Sequence, residues 1–171
     1  MGDNISFNFA KKIKVHTCSE RETEHLGNII ASCLEGKEII FLIGDLGSGK
    51  TVLTRGIAIG SGVYKKIRSS SFVLLSQYKG ERFQIYHVDL YRASKEDLLD
   101  IGFDELVDNG IIIVEWGDKA GDLLKPSIMI SIDISGERDR NLIIEGEDRI
   151  INCLEGRIRK DAHLSDRYIL V

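Results

Sequence analysis

The stretch Ile39-Ile40-Phe41-Leu42-Ile43-Gly44-Asp45-Leu46-Gly47-Ser48-Gly49-Lys50-Thr51 decides the fold. Glu38 to Ile43 is apolar after its first residue, as expected of a strand buried on both faces. Gly44 to Thr51 then matches G-x-x-x-x-G-K-[ST] in full. Glycines let main-chain N–H groups converge on phosphate oxygens where side chains would block approach. A helix predicted from Thr51 to Ile59 adds the positive end of its dipole. In this pattern Lys50 reaches the β- and γ-phosphates, and the Thr51 hydroxyl ligates Mg²⁺. The chain is expected to bind a nucleoside triphosphate.

Working outward, Phe7, Phe9, Ile13 and Val15 alternate as in a first strand. Ser19-Glu20-Arg21-Glu22 reads as a capping box, with Ser19 and Glu22 satisfying end amides reciprocally. Leu26, Ile29, Ile30, Cys33 and Leu34 follow at helical spacing, and Gly36 stops the helix. Phe72 to Tyr78 and Phe83 to Val88 flank Lys79-Gly80-Glu81-Arg82 as a hairpin. Ser94 to Ile101 is predicted as a short helix capped by Ser94. Asp108-Asn109-Gly110 turns into the apolar strand Ile111 to Val114. Ile128, Ile130, Ile132 and Ile134 alternate and pair with Asn141 to Ile144 across the Gly136 turn. Strands alternating with helices, together with two hairpin-like pairs, predict an α/β fold. The expected architecture is a P-loop NTPase-like mixed sheet flanked by helices in three layers. Residues 1–146 would form the ATPase domain, and residues 147–171 a helix with a loose tail.

The composition narrows the function classes. With 171 residues, 43% of them hydrophobic, the chain can build a proper core, which excludes a disordered protein. A net charge of −4 makes its surface a poor grip for RNA or DNA, so direct DNA binding is not expected. No segment approaches the ~18 apolar residues that span a bilayer, and no signal-peptide block opens the chain. Cys18, Cys33 and Cys153 lie far apart without a C-x-x-C, so neither a disulfide framework nor a zinc cluster is expected. A reducing cytoplasm is the default location.

Two acids complete the expected site. Phe83 to Val88 runs into Asp89, placed to hold Mg²⁺ through water from a strand tip. Ile111 to Val114 runs into Glu115, which either ligates the metal or polarises the attacking water. Trp116 reads as a core or lid residue, or as a stacking platform. Arg55, Arg68, Arg92, Arg138 and Arg140 could each meet phosphate, base or partner. An N-K-x-D motif is absent, which weakens a GTPase reading. His16, His25, His87 and His163 show no metal spacing, and His87 reads as a core or rim residue.

From Ser19 to about Ile144 the sequence resembles the bacterial TsaE (YjeE) family of threonylcarbamoyladenosine-biosynthesis ATPases. The resemblance rests on the capped helix, the Gly44–Thr51 loop, Ile67-Arg68-Ser69-Ser70-Ser71-Phe72, Tyr86-His87-Val88-Asp89-Leu90-Tyr91-Arg92, Val114-Glu115-Trp116 and Gly136-Glu137-Arg138-Asp139-Arg140. It implies a Mg²⁺-dependent ATPase that resets a TsaB–TsaD complex installing threonylcarbamoyl on adenosine 37 of tRNA. The tRNA would be met only indirectly, through that complex. The implied catalytic residues are Lys50, Asp89 and Glu115, and the implied metal residues are Thr51, Asp89 and Glu115. ATP or ADP would contact Thr17, Asp45, Leu46, Gly47, Ser48, Gly49, Lys50, Thr51, Thr54, Ser71 and Arg140, with Thr17 to Ser19 facing the adenine. Two departures stand out: Ser70 and Gly117 occupy positions where the family usually has Pro. Two other readings of the loop stay open, a nucleotide-gated binding module with negligible hydrolysis and a small-molecule kinase.

Overall fold

The computed structural model describes residues 7–65, 67, 73–93 and 95–171. Eight strands form one mixed sheet: β1 (Lys11–Thr17), β2 (Ile39–Ile43), β3 (Leu75–Lys79), β4 (Gln84–Asp89), β5 (Ile111–Glu115), β6 (Ile128–Ile134), β7 (Arg140–Gly146) and β8 (Tyr168–Leu170). Their spatial order is β3-β4-β5-β2-β6-β7-β1-β8. β2 runs parallel to both β5 and β6, and β4 runs parallel to β5. The remaining pairings are antiparallel. Five helices flank the sheet: α1 (Glu20–Ala31), α2 (Lys50–Gly60), α3 (Lys95–Leu99), α4 (Phe103–Val107) and α5 (Asp148–Ile158), with a 3₁₀ segment at Gly117–Leu123.

The uniformly apolar strands have a direct cause. Ile40 and Leu42 point into the core beneath α1, α2 and α5, while Ile39 and Phe41 point into a second core on the opposite face. Ile111 and Ile113 divide from Ile112 and Val114 in the same way. A strand covered on both faces has no position where a polar residue is favoured. This is the expected three-layer arrangement of helices, mixed sheet and helices.

α1 and α2 pack closely enough that a Cβ on Gly27 would meet the Leu53 carbonyl oxygen at 2.6 Å. Only glycine permits that approach. At the start of α1 the Ser19 hydroxyl accepts from the Glu22 N–H at 3.2 Å. The reciprocal bond is shifted by one residue, because Glu22 Oε2 accepts from the Cys18 N–H at 2.8 Å instead of from Ser19.

Several expectations need correction. The first strand starts at Lys11, and Phe7 packs edge-on against Phe41 at 6.0 Å instead of extending it. α1 stops at Ala31, with Ser32 as its C-cap, before Cys33 and Leu34. The stretch after residue 147 is no loose tail. α5 buries Ile150, Ile151, Leu154 and Ile158, and β8 joins the sheet against β1. Cys33 and Cys153 form a disulfide with a Cα–Cα distance of 5.8 Å. The expectation of no disulfide fails because 120 residues separate the pair, and only the packing of α5 beside the end of α1 brings them together. The Ser94 cap lies outside the described residues. No helix among the described residues is long and apolar enough to cross a membrane.

Glu38 ends up just outside β2. Its buried carboxylate accepts from the N–H groups of Glu35 at 2.7 Å, Gly36 at 2.9 Å and Lys37 at 3.1 Å, and pairs with Arg149 at 2.8 Å. Burial alone would raise its pKa, but the three amides and the guanidinium outweigh that and hold it below the usual carboxylate value. The turn entering β2 is thus tied to α5.

Candidate active site

β2 delivers the glycine loop to one point of the sheet, and its neighbours β5 and β4 deliver the two acids beside it. Leu42 pairs in register with Glu115, and Glu115 pairs with Asp89. The carboxylates therefore leave adjacent parallel strands at their C-terminal ends, where open α/β sheets place ligands. A cleft of about 770 Å³ opens there, walled by Ser19 to Arg21, Thr23, the loop, Asp89, Tyr91, Arg92, Glu115, Trp116 and Glu137 to Arg140 except Asp139.

The loop geometry suits an anion. Gly49 opens α2 at φ +108°, a backbone that side chains rarely adopt, and no side chain caps the helix. The first amides of α2 therefore remain available to a ligand. The buried Ser48 hydroxyl has no protein partner among the described residues. Lys50 is buried, and its ammonium donates to the carbonyls of Gly44 at 2.6 Å and Asp45 at 2.8 Å. It also lies 4.0 Å from the centre of the Trp116 ring. Burial pushes its pKa below the usual lysine value, and the charges of Glu115 and Asp89 oppose that shift without cancelling it.

Glu115 is the hub. The Thr51 hydroxyl donates to its Oε1 at 2.9 Å, within 3.1 Å of Oε2, and Thr54 donates at 3.4 Å. His87 Nε2 lies 2.9 Å from Oε1. Asp89 is buried at 8% exposure, and its Oδ1 accepts from the Tyr91 N–H at 3.0 Å. Hydroxyl and carboxylate oxygens converging in this way are the donor set of a hard cation such as Mg²⁺. The orphaned Ser48 hydroxyl and the uncapped helix fit a bound phosphate chain beside it.

The other sequence-predicted residues divide. Gly47, Leu46 and Arg140 line the cleft. Arg140 reaches it as a brace, donating to the loop carbonyls of Ser48 at 2.8 Å and Gly47 at 3.2 Å. Asp45 contributes its carbonyl to Lys50. Thr17 does not face the cleft: it is fully buried with its hydroxyl 2.8 Å from that of Thr23, because strand alternation turns it toward the core. Ser19, two residues on, lines the cleft instead. Thr54 is buried behind Glu115 rather than lining the opening. Arg55 pairs with Glu24 on α1, and Arg92 and Arg138 stand at the cleft wall. Ser70, Ser71 and Arg68 lie outside the described residues. Trp116 lines the cleft at φ +60°, 5.2 Å from the Tyr91 ring.

His87 is the site residue that sequence reasoning passed over. The signal was its spacing of two from Asp89 on β4, which puts both side chains on one face of the strand.

The model of the family described as "Threonylcarbamoyl adenosine biosynthesis protein TsaE" matches residues 17–143. The chain belongs to the TsaE family. Among curated TsaE proteins, that of Treponema pallidum is 36% identical over 129 residues, covering 74% of this chain and 95% of its own. That of Bacillus subtilis is 31% identical over 134 residues, covering 77% and 84%. The crystal structure of Bacillus subtilis YdiB superimposes with a TM-score of 0.72 at 27% identity, covering 90% of this chain and 98% of that one. All of the cleft residues named above lie within the span matched by the TsaE model. α5, β8 and Cys153 lie beyond it. Gly117, where the family usually has Pro, packs so tightly on Phe41 that a Cβ there would meet its Cγ at 2.5 Å.

Proposed function

We propose that this chain binds ATP with Mg²⁺ in the cleft, hydrolyses it, and acts in threonylcarbamoylation of adenosine 37 of tRNA by resetting a TsaB–TsaD complex in the cytoplasm. The observation that carries the reading is the Thr51–Glu115 hydrogen bond at the mouth of the glycine loop, with Asp89 in register beside it. Those are the hydroxyl and acids that the reaction needs, held by a helix start and two strand ends.

The residues divide the work as follows. The loop amides and the start of α2 cradle the phosphates. Lys50 leaves the Gly44 and Asp45 carbonyls and turns its ammonium onto the phosphate chain. Thr51, Asp89 and Glu115 would hold Mg²⁺, which supplies neutralisation of charge on the transferring phosphoryl group. Glu115, fixed by His87 and Thr54, orients the attacking water or the metal. Arg140 keeps the loop in shape through Ser48 and Gly47.

A second reading, a nucleotide-gated binding module with negligible hydrolysis, is favoured by Lys50 lying on loop carbonyls and by Glu115 being engaged by three donors. Such a site turns over slowly until a partner rearranges it.

The test is phosphate release measured on the chain alone, with TsaB–TsaD, and with tRNA added. Stimulation by the partner pair supports the ATPase reading. ATP-dependent partner binding without phosphate release replaces it with the gated module, and phosphate appearing on an added metabolite replaces it with a kinase.

A further inference from the structure

We propose that His16, Cys18 and Asp139 form a zinc-binding site beside the nucleotide cleft. On an extended chain, residues two apart share a face. Thr17 turns into the core, so His16 and Cys18 turn outward together at the end of β1. Asp139 closes the group from the turn between β6 and β7. The ligating atoms of all three lie within 4.8 Å of one another.

The hydrogen bonding around His16 prepares it as a ligand. Asn141, its register partner on β7, places Oδ1 2.9 Å from His16 Nδ1. An amide oxygen accepts, so Nδ1 carries the proton and Nε2 presents a lone pair. Metal-bound histidines are oriented by this kind of bond from the other ring nitrogen. Nε2 faces Asp139 Oδ1 at 3.8 Å, too far for a hydrogen bond. Two acceptors facing each other gain when a cation lies between them. Tetrahedral zinc with bonds of about 2.0–2.3 Å sets its ligand atoms about 3.3–3.6 Å apart, so modest side-chain rotation completes the site.

Charge and ligand type agree with zinc. A thiolate and a carboxylate balance a dication. The Arg167 guanidinium lies 3.3 Å from Cys18 Sγ, but Glu22 neutralises it at 2.7 Å. Sulfur and imidazole nitrogen favour zinc over Mg²⁺ or Ca²⁺. The His16 and Asp139 side chains are 40% and 41% exposed, which leaves the fourth position open to water. Zinc here would tie the end of β1 to the turn carrying Arg140, and so to the loop carbonyls that Arg140 braces. The site does not depend on the ATPase reading.

The experiment is Co²⁺ titration of the metal-stripped full chain, without reductant so that the Cys33–Cys153 disulfide stays closed. The expected result is one equivalent bound, with near-ultraviolet thiolate-to-cobalt absorption and visible bands of four-coordinate cobalt, both displaced by Zn²⁺. Cys18→Ser should abolish the thiolate band. Asp139→Asn and His16→Gln should keep native circular dichroism and weaken binding more than about tenfold. No Co²⁺ uptake, a thiolate band that survives in Cys18→Ser, or unchanged affinity in Asp139→Asn and His16→Gln would each overturn the site. Cys18 would then serve only as the acceptor of Arg167.

Discussion

His87 Nε2 lies 2.9 Å from Glu115 Oε1, with the two side chains 0% and 5% exposed. The same carboxylate oxygen accepts from Thr51, so the imidazole holds the acid in the orientation that the loop hydroxyl meets. Glu115→Gln is expected to keep ATP affinity within several-fold and to cut turnover about 10²-fold, the low end for lost general-base assistance. His87→Ala should lower turnover about tenfold through misplacement of Glu115 with little change in ATP affinity. His87→Gln, which retains a donor, should recover part of that loss. Calorimetric affinity set against phosphate release separates the cases. Equal loss of both in His87→Ala would reduce His87 to a packing residue.

Lys50→Ala should lose most nucleotide affinity, since the mutation removes the ammonium that the loop carbonyls now hold. Calorimetry with ATP and Mg²⁺ is the measurement. Wild-type affinity would mean that the loop does not bind the phosphate chain.

Glu38 predicts an acid limit to stability. Its folded pKa lies below the unfolded value, so its contribution is complete above the ordinary carboxylate range, near 4.5. That contribution is lost as pH falls through the lowered folded value. Glu38→Gln should cost about 1.5–3 kcal/mol at neutral pH, the range for hydrogen bonds to a charged group, and should flatten the acid limb of the stability curve. Urea titrations at several pH values check both.

Reducing Cys33–Cys153 should lower the free energy of unfolding by about 2–4 kcal/mol. Denaturant melts with and without reductant give the difference, and mass spectrometry of alkylated protein counts the thiols. ATP affinity should not move, because neither cysteine lines the cleft. A thiol count of three in unreduced protein would remove the bridge.

The sheet and the phosphate loop were legible because their signals are local. β2 and β5 are apolar without interruption, and eight consecutive residues carry the loop. Asp89 and Glu115 were legible because each follows an apolar run. What escaped depends on pairing between distant segments. The Cys33–Cys153 bridge, the Glu38–Arg149 contact and the return of β8 to β1 join residues more than 100 positions apart. Thr17 was misplaced for a different reason: the resemblance gave its neighbourhood, but strand alternation decides which residue of Thr17 to Ser19 turns outward. His87 carries no distinctive spacing except to Asp89, and its role appears only once β4 and β5 are side by side.

β8 has a consequence for how copies of this chain meet. β1 has seven residues paired to β7, and its outer edge pairs Ile13, Lys14 and Val15 with Leu170, Ile169 and Tyr168. Bare, that edge would present a row of unsatisfied amides and carbonyls, able to extend itself with a strand from another molecule. The three-residue β8 takes up the middle of the row and offers little length of its own for a newcomer to read. The last turns of the chain thus guard against fibre-like stacking, and a protease that trimmed them would turn a self-contained sheet into a sticky one.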